Sequence, residues 1–166
     1  MRLFVPQIKE QVKAKKEYRL ISHRGNINGK MEYLENSPSY IDDALNLGYD
    51  VEVDLWADND GFYLGHDEPT YPIELKWLTD RYLRLWIHCK SLKTVEAMRD
   101  LQSNMLVDLN YFFHNTDDCT ITSRGHIWVY PGKQPVVNSI AVMPELENED
   151  TTNAYGICSD FIKKYK

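Results

Sequence analysis

The stretch DVEVDLW, residues 50–56, places two carboxylates inside an otherwise apolar run. Side chains alternate along a β-strand, so Glu52 and Asp54 project to one face while the valines and Leu55 project to the other. Carboxylates on a shared face must be solvated, paired with cations or bound to a metal, because burying them bare is too costly. Two interpretations satisfy this requirement: an antiparallel strand with one wet face, or a metal site.

Polar side chains recur at the ends of other apolar runs. The run LISHRG ends in His23 and Arg24. In LWIHCK, His88 and Lys90 share one strand face, and Asp160 closes the run GICSDF. Polar groups at the carboxyl ends of successive strands are typical of a (β/α) barrel, whose sites gather at that end.

Apolar runs bounded by polar turns predict eight strands, with helices between the early ones. The predicted strands cover 18–22, 49–57, 62–66, 83–89, 104–110, 126–131, 139–144 and 155–162. The alternation in the first half favours a parallel sheet, whereas later connections are too short for full helices. With 43% hydrophobic residues and no linker, the 166 residues predict one domain, 1–166.

Two helices have clear start signals. The first follows Ser37 as N-cap, with Pro38 at the first helical position and Gly48 just past its end. The second covers 91–101 and is capped by Ser91. Its inward-facing residues are predicted to be Leu92, Val95 and Met98.

The charge balance argues against a nucleic-acid partner, because 25 acids and 19 bases leave a net charge of -6. The basic cluster 9–16 fits the solvated face of an amphipathic helix, in which Ile8 and Val12 lie four apart, or a binding patch. No apolar run reaches about 18 residues and no signal-peptide pattern is present. Three widely spaced cysteines form no zinc or disulfide pattern. We expect a cytoplasmic protein without stable membrane association.

Four ordered motifs resemble the glycerophosphodiester phosphodiesterase family. They are HRG at 23–25, ENS at 35–37, GYDVEVD at 48–54 and GHD at 65–67, where the family reads HRG, ENT, ExD and HD. Lys90 in HCK is similar to the strand lysine of that family, and GICSD at 156–160 to its closing-strand motif. The similarity is strongest over residues 18–67.

The resemblance implies a PI-PLC-like TIM-type (β/α) barrel. Because TIM barrels rarely have fewer than about 200 residues, we expect this one to be shortened or irregular, with reduced helices in the second half. The implied activity is hydrolysis of a glycerophosphodiester or similar small phosphodiester with Mg²⁺ or Ca²⁺. The implied roles are acid and base for His23 and His66, metal ligands for Glu52 and Asp54, and phosphate contacts for Arg24 and Lys90.

One position departs from the family pattern in a way that affects the metal. The family carries a third acidic ligand two residues before the strand lysine, and here that residue is His88. A nitrogen ligand would shift the preference toward Mn²⁺ or Zn²⁺. Alternatively, Asp108 or Glu35 supplies the missing oxygen and His88 only packs. Leu34 replaces the proline that usually precedes ENT, which is a minor change.

Further candidates have two readings each. Asp160 either positions site groups or caps the following turn, and Trp128 either lines the pocket or belongs to the core. Glu145 follows a strand and is a weaker candidate.

Two functions remain open: a metal-dependent phosphodiesterase that uses both histidines, or a catalytically idle barrel that binds phosphate or metal. The oligomeric state is not predicted.

Overall fold

A computed structural model describes residues 17–105 and 107–166. The predicted N-terminal amphipathic helix around Ile8 and Val12 lies outside these residues. The strands are β1 (Arg19–His23), β2 (Asp50–Ala57), β3 (Phe62–Leu64), β4 (Tyr71–Ile73), β5 (Leu85–Cys89), β6 (Tyr111–Phe112), β7 (Cys119–Ile121), β8 (Ile127–Val129), β9 (Ser139–Val142) and β10 (Gly156–Ser159). The helices are α1 (Pro38–Asn46), α2 (Leu75–Arg81) and α3 (Leu92–Met105), with 3₁₀ turns at Pro144–Leu146 and Ile162–Tyr165.

The ten strands of the described residues join one mixed sheet. Seven strands are parallel, in the spatial order β6-β5-β2-β1-β10-β9-β8. Three strands are antiparallel: β3 pairs with the end of β2, β4 with β3, and β7 with β8. Strand β2 therefore has three partners, and the sheet branches there. The sheet curls, since Trp128 on β8 contacts the rings of Trp86 on β5 and Phe112 on β6.

The predicted TIM-type (β/α) barrel is wrong. The described chain is a mixed ten-stranded sheet with three helices, and it is 25% helical. The reason lies in the connections: residues 130–138 and 143–155 join parallel strands with nothing longer than a 3₁₀ turn, where a barrel places an α-helix. The segment 62–66, counted as a barrel strand, instead forms the antiparallel strand β3.

The side chains of β2 alternate as the sequence predicts. Val51, Val53 and Leu55 are fully buried against α1 and α3 in one apolar cluster. Glu52 and Asp54 point to the opposite, concave face of the sheet, where a second cluster contains the indole rings of β5 and β8. Both faces are buried, so neither acid lies on a wet surface and both require partners.

The first predicted helix is confirmed. Helix α1 begins at Pro38, follows Ser37 and ends just before Gly48, which has a φ of 96°. The hydroxyl of Ser37 makes no capping hydrogen bond. The helix forms because its apolar face, with Ile41 and Ala44 fully buried, packs on the sheet.

The second predicted helix is correct in place and cap but not in its buried face. Ser91 Oγ accepts a hydrogen bond from the Thr94 N–H. Leu92 is 68% exposed, however, and Thr94 takes the inward position because its hydroxyl accepts a hydrogen bond from the Ala57 N–H. The strand predicted over 104–110 is wrong: helix α3 runs to Met105, β6 begins only at Tyr111, and Asp108 lies in the segment between them. Strands β4 and β7 and helix α2 were not predicted.

No helix in the described part of the chain has the length and apolar character needed to cross a membrane.

Candidate functional site

The strand register brings the polar side chains together. His23 on β1 lies opposite Glu52 on β2, and Asp54 lies opposite His88 on β5. His23 ends β1 and His88 is the penultimate residue of β5, and the register places Glu52 and Asp54 of β2 level with them, so the four side chains meet at one edge of the site. They adjoin a cavity of about 590 Å³, which is also lined by Lys90 and by several aromatic residues.

Asp54 is the most heavily bonded group at this edge. Its Oδ1 lies 3.0 Å from His88 Nδ1 and 3.3 Å from Lys90 Nζ, and its Oδ2 lies 2.8 Å from Arg24 Nε. Asn36 Nδ2 donates a further hydrogen bond of 2.9 Å to Oδ2. Burial alone would raise the pKa of Asp54, but the His88 hydrogen bond and the two cationic side chains hold it well below its ordinary range. Asp54 is therefore a fixed anion.

Asn36, from the ENS motif, fixes Asp54 from two directions. Its side chain donates to the Asp54 carboxylate, and its Oδ1 accepts the Asp54 backbone N–H at 2.9 Å. The residue has a φ of 62°, in the left-handed region that asparagine tolerates better than most residues. This conformation turns the buried side chain toward β2. In this chain the asparagine of the ENS motif therefore holds Asp54 in position.

Glu52 is buried yet poorly bonded. Its Oε1 lies 3.9 Å from His88 Nδ1 and its Oε2 lies 3.9 Å from His23 Nε2. In the described ranges, Oε2 has no hydrogen-bond partner. Burial and the nearby charge of Asp54 raise the pKa of Glu52. A buried carboxylate oxygen without a partner is costly, and a bound cation would remove that cost.

Glu52, Asp54 and His88 fit a divalent cation. One ligand atom from each residue lies within 4.8 Å of the other two, and all three side chains are buried. Two carboxylates and one imidazole are donors that divalent metals accept. The ring of His88 is fixed by stacking on Phe112, with 5.2 Å between centroids and a 6° interplanar angle. This cluster could hold a metal.

His23 belongs to a buried hydrogen-bond network. Its Nδ1 donates to Asp160 Oδ1 at 2.7 Å, because an ionised carboxylate only accepts. Asn26, fully buried, donates from Nδ2 to both Asp160 Oδ1 and Glu35 Oε1, at 2.8 Å and 2.7 Å. Arg24 Nη1 lies 3.3 Å from Glu35 Oε2. The network orients the His23 ring and leaves its Nε2 for the cavity.

The environment shifts the two titrating groups of this network in opposite directions. Burial lowers the pKa of His23, but the hydrogen bond to Asp160 and the charge of Glu52 outweigh it, so the pKa is raised. Burial raises the pKa of Asp160, but the hydrogen bond and charge of His23 outweigh it, so that pKa is lowered. The pair favours a protonated imidazole beside a carboxylate.

His66 follows the antiparallel strand β3 and lines the same cavity. Gly65 before it has a φ of 152°, and a Cβ there would lie 2.1 Å from the Glu68 carbonyl oxygen, so only glycine fits. His66 Nδ1 lies 2.7 Å from Asp67 Oδ1, and its side chain is 42% exposed. Burial and the charge of Arg24 lower the pKa of His66.

Three of the other candidates have different surroundings. Trp128 lines the cavity, and it also belongs to the core because only 2% of the residue is exposed, so both interpretations apply. Asp108 lies away from the cluster, with a side chain that is 68% exposed and paired with Arg124 at 2.9 Å. It therefore cannot supply the third oxygen in this arrangement. Glu145 accepts hydrogen bonds from the hydroxyls of Ser159 and Tyr165, which is a structural role.

Sequence reasoning named Trp128 as a candidate for the cavity lining but missed His114 on the same wall. The ring of His114 stacks on Tyr130, with centroids 3.8 Å apart, and on His88 at 4.8 Å. Burial and the charges of His88 and Lys90 lower the pKa of His114 to about 4, so its ring is neutral at neutral pH. The run YFFH, residues 111–114, contains three aromatic residues before this histidine and was the available signal.

Comparisons with models of protein families, with curated proteins and with solved structures found no match to this chain.

Proposed function

We propose that this protein is a metal-dependent phosphodiesterase that hydrolyses a small phosphodiester. The observation that carries the proposal is the collection of three kinds of group at one cavity edge. Two buried carboxylates with His88 form a candidate cation site, Arg24 and Lys90 supply positive charge, and His23 and His66 line the cavity beside them. A phosphodiester needs all three, because charge develops on its oxygens while protons move on both sides of phosphorus.

Glu52, Asp54 and His88 would hold the cation. When bound, it would stabilise the negative charge that develops on the phosphate oxygens. The carboxylates suit Mg²⁺ or Ca²⁺, and the imidazole shifts the preference toward Mn²⁺ or Zn²⁺.

The two histidines have opposite tendencies that fit opposite roles. His23 is the general acid, because Asp160 favours its protonated form and leaves Nε2 to donate a proton to the leaving oxygen. His66 is the general base, because its lowered pKa keeps it neutral and able to accept a proton from water. Arg24 and Lys90, both held against Asp54, contact the phosphate oxygens.

The test is hydrolysis of a panel of phosphodiesters with metals added one at a time. Alanine at His23 or His66 should lower kcat by about 10²–10⁴ on the best substrate, as loss of a positioned acid or base does. His126→Ala is a matched control, because this histidine packs on Trp86 and Tyr155 instead of lining the cavity. Wild-type kcat in either His23→Ala or His66→Ala would refute the assignment.

A second candidate is a catalytically idle module that binds phosphate or metal at the same place. The observation in its favour is the set of cationic and imidazole contacts already made by Asp54, which neutralise it without a cation. Stoichiometric binding of metal or inorganic phosphate with no turnover of any diester would favour this second candidate.

The proposed compartment is cytoplasmic, and the free thiols of Cys89, Cys119 and Cys158 support it.

A further inference from the structure

The cavity has two chemically different halves. The acids, cations and histidines described above form one half. The other half consists of aromatic and apolar side chains from β6, β8 and β9 and the segments that follow them. These residues, the aromatic wall, are Phe112, Phe113, His114, Trp128, Tyr130 and Met143.

The aromatic wall is built as a rigid surface. Phe112 contacts Trp128 with centroids 4.7 Å apart, and His114 stacks on Tyr130 at 3.8 Å. Rings in contact restrain one another, so these side chains form a packed surface. Phe113 at its edge is 37% exposed, which leaves a large apolar side chain beside the charged half.

Met143 adds a second sign that the wall faces a ligand. It has a φ of 43°. This left-handed conformation is uncommon for residues other than glycine, asparagine and aspartate, and it strains the backbone. Its N–H donates to the Cys158 carbonyl at 2.7 Å, which holds the strained backbone in place. Met143 is among the residues that line the cavity, and methionine side chains contact aromatic rings favourably.

We propose that the substrate of this site is a phosphodiester whose alcohol carries a planar aromatic ring, bound against the aromatic wall while its phosphate meets the charged half. The inference rests on the proposed function for the position of the phosphate. A cavity of about 590 Å³ has the size that holds a drug-sized ligand, more than a phosphate and a three-carbon polyol require. Phe112 and Phe113 in that wall offer no hydrogen-bonding group to the hydroxyls of a polyol.

The test measures affinity and needs no turnover. Phenyl phosphate, butyl phosphate and glycerol 3-phosphate share one charged group and differ in the organic part, so they serve as product-like probes in calorimetry, with and without Mg²⁺. We expect phenyl phosphate to bind about tenfold more tightly than glycerol 3-phosphate and more tightly than butyl phosphate, since aromatic contacts contribute beyond apolar burial.

Two variants locate the preference. Phe113→Leu keeps an apolar side chain and removes the ring, so it should reduce the phenyl-over-butyl preference at least threefold while leaving glycerol 3-phosphate affinity unchanged. Phe113 is partly exposed, so the change should not unfold the chain. Leu146→Ala is the matched control, because Leu146 is an exposed apolar residue outside the cavity lining.

Equal affinities for the three probes, or no binding of any of them, would overturn the inference. An unchanged preference in Phe113→Leu would overturn the placement of the ring. A phenyl preference in a protein that hydrolyses no diester would refute the proposed phosphodiesterase and leave only the placement of an aromatic ring against the wall, so the two failures are distinguishable.

Discussion

Asn36→Ala should be among the most destabilising single substitutions near the site. The side chain of Asn36 is 1% exposed and makes two hydrogen bonds of 2.9 Å to Asp54, one to the carboxylate and one from the backbone N–H. Alanine removes both bonds. It also must adopt the left-handed φ of 62°, which asparagine tolerates more readily.

The magnitude follows from these three losses. A hydrogen bond to a charged acceptor contributes about 1.5–3 kcal/mol, and a buried N–H left without a partner costs about 1–3 kcal/mol. The left-handed backbone costs a further 1 kcal/mol or about that. Because Asp54 keeps its contacts with His88, Arg24 and Lys90, we take the low end of each range. The free energy of unfolding should fall by roughly 3–4 kcal/mol, a large part of the usual 5–15 kcal/mol or so.

The assay is equilibrium unfolding in urea followed by tryptophan fluorescence at neutral pH. Asn138→Ala is the matched control, because Asn138 has a φ of 58° but is exposed, so its substitution carries the backbone cost and should lose about 1 kcal/mol. Asn36→Gly removes the same hydrogen bonds without the backbone cost. Its free energy of unfolding should therefore be about 1 kcal/mol higher than that of Asn36→Ala. If Asn36→Ala lost no more than Asn138→Ala, the two bonds to Asp54 would not stabilise this fold and the reasoning would be wrong.

Three further predictions concern titration and metal choice. His88→Glu should raise the affinity for Mg²⁺ or Ca²⁺ and weaken any preference for Mn²⁺ or Zn²⁺, and an unchanged ratio in a calorimetric metal series would retire His88 as a ligand. Asp160→Asn should lower the pKa of His23 and move the alkaline limb of the pH–rate profile to lower pH, because a raising hydrogen bond and charge are lost; a limb that stays in place would contradict this. Burial and the charge of Arg124 lower the pKa of His126, so its folded form resists a proton that the unfolded chain accepts. The free energy of unfolding should therefore fall as the pH drops from about 6.5 through that lowered value, and urea titrations across this interval should show a smaller fall in His126→Gln.

The residues of the site differ in how far the sequence could locate them. Glu52 and Asp54 could be assigned to one face of their strand, and His88 and Lys90 to one face of theirs, because parity along a strand depends only on the chain itself. The alternation on β2 carried this information directly, since every second residue is apolar and buried. Asn36 is part of the ENS motif, but its two hydrogen bonds with Asp54 require a left-handed backbone conformation, which the periodicity of the sequence does not predict.

The prediction of a TIM-type barrel was wrong because local sequence patterns do not specify contacts between distant residues. Local patterns identified most strands, including β1, β2, β5, β9 and β10, within a few residues. They did not reveal which strands would be neighbours, so β3, which pairs antiparallel with β2 and β4, was read as a barrel strand. Strand pairing depends on turns such as that at Gly65 and on contacts between distant residues, which short windows do not contain.

The sequence by itself determined the strand parity of Glu52, Asp54 and His88 and the boundaries of helix α1, because alternation, caps and glycines act within a few residues. Only the tertiary structure decided that these side chains meet His23 and Asp160 at one edge, and that a wall of stacked rings completes the cavity. The reason is that β1, β2, β5 and β10 are far apart in the chain and adjacent in the sheet, so their carboxyl ends converge only after the sheet has formed.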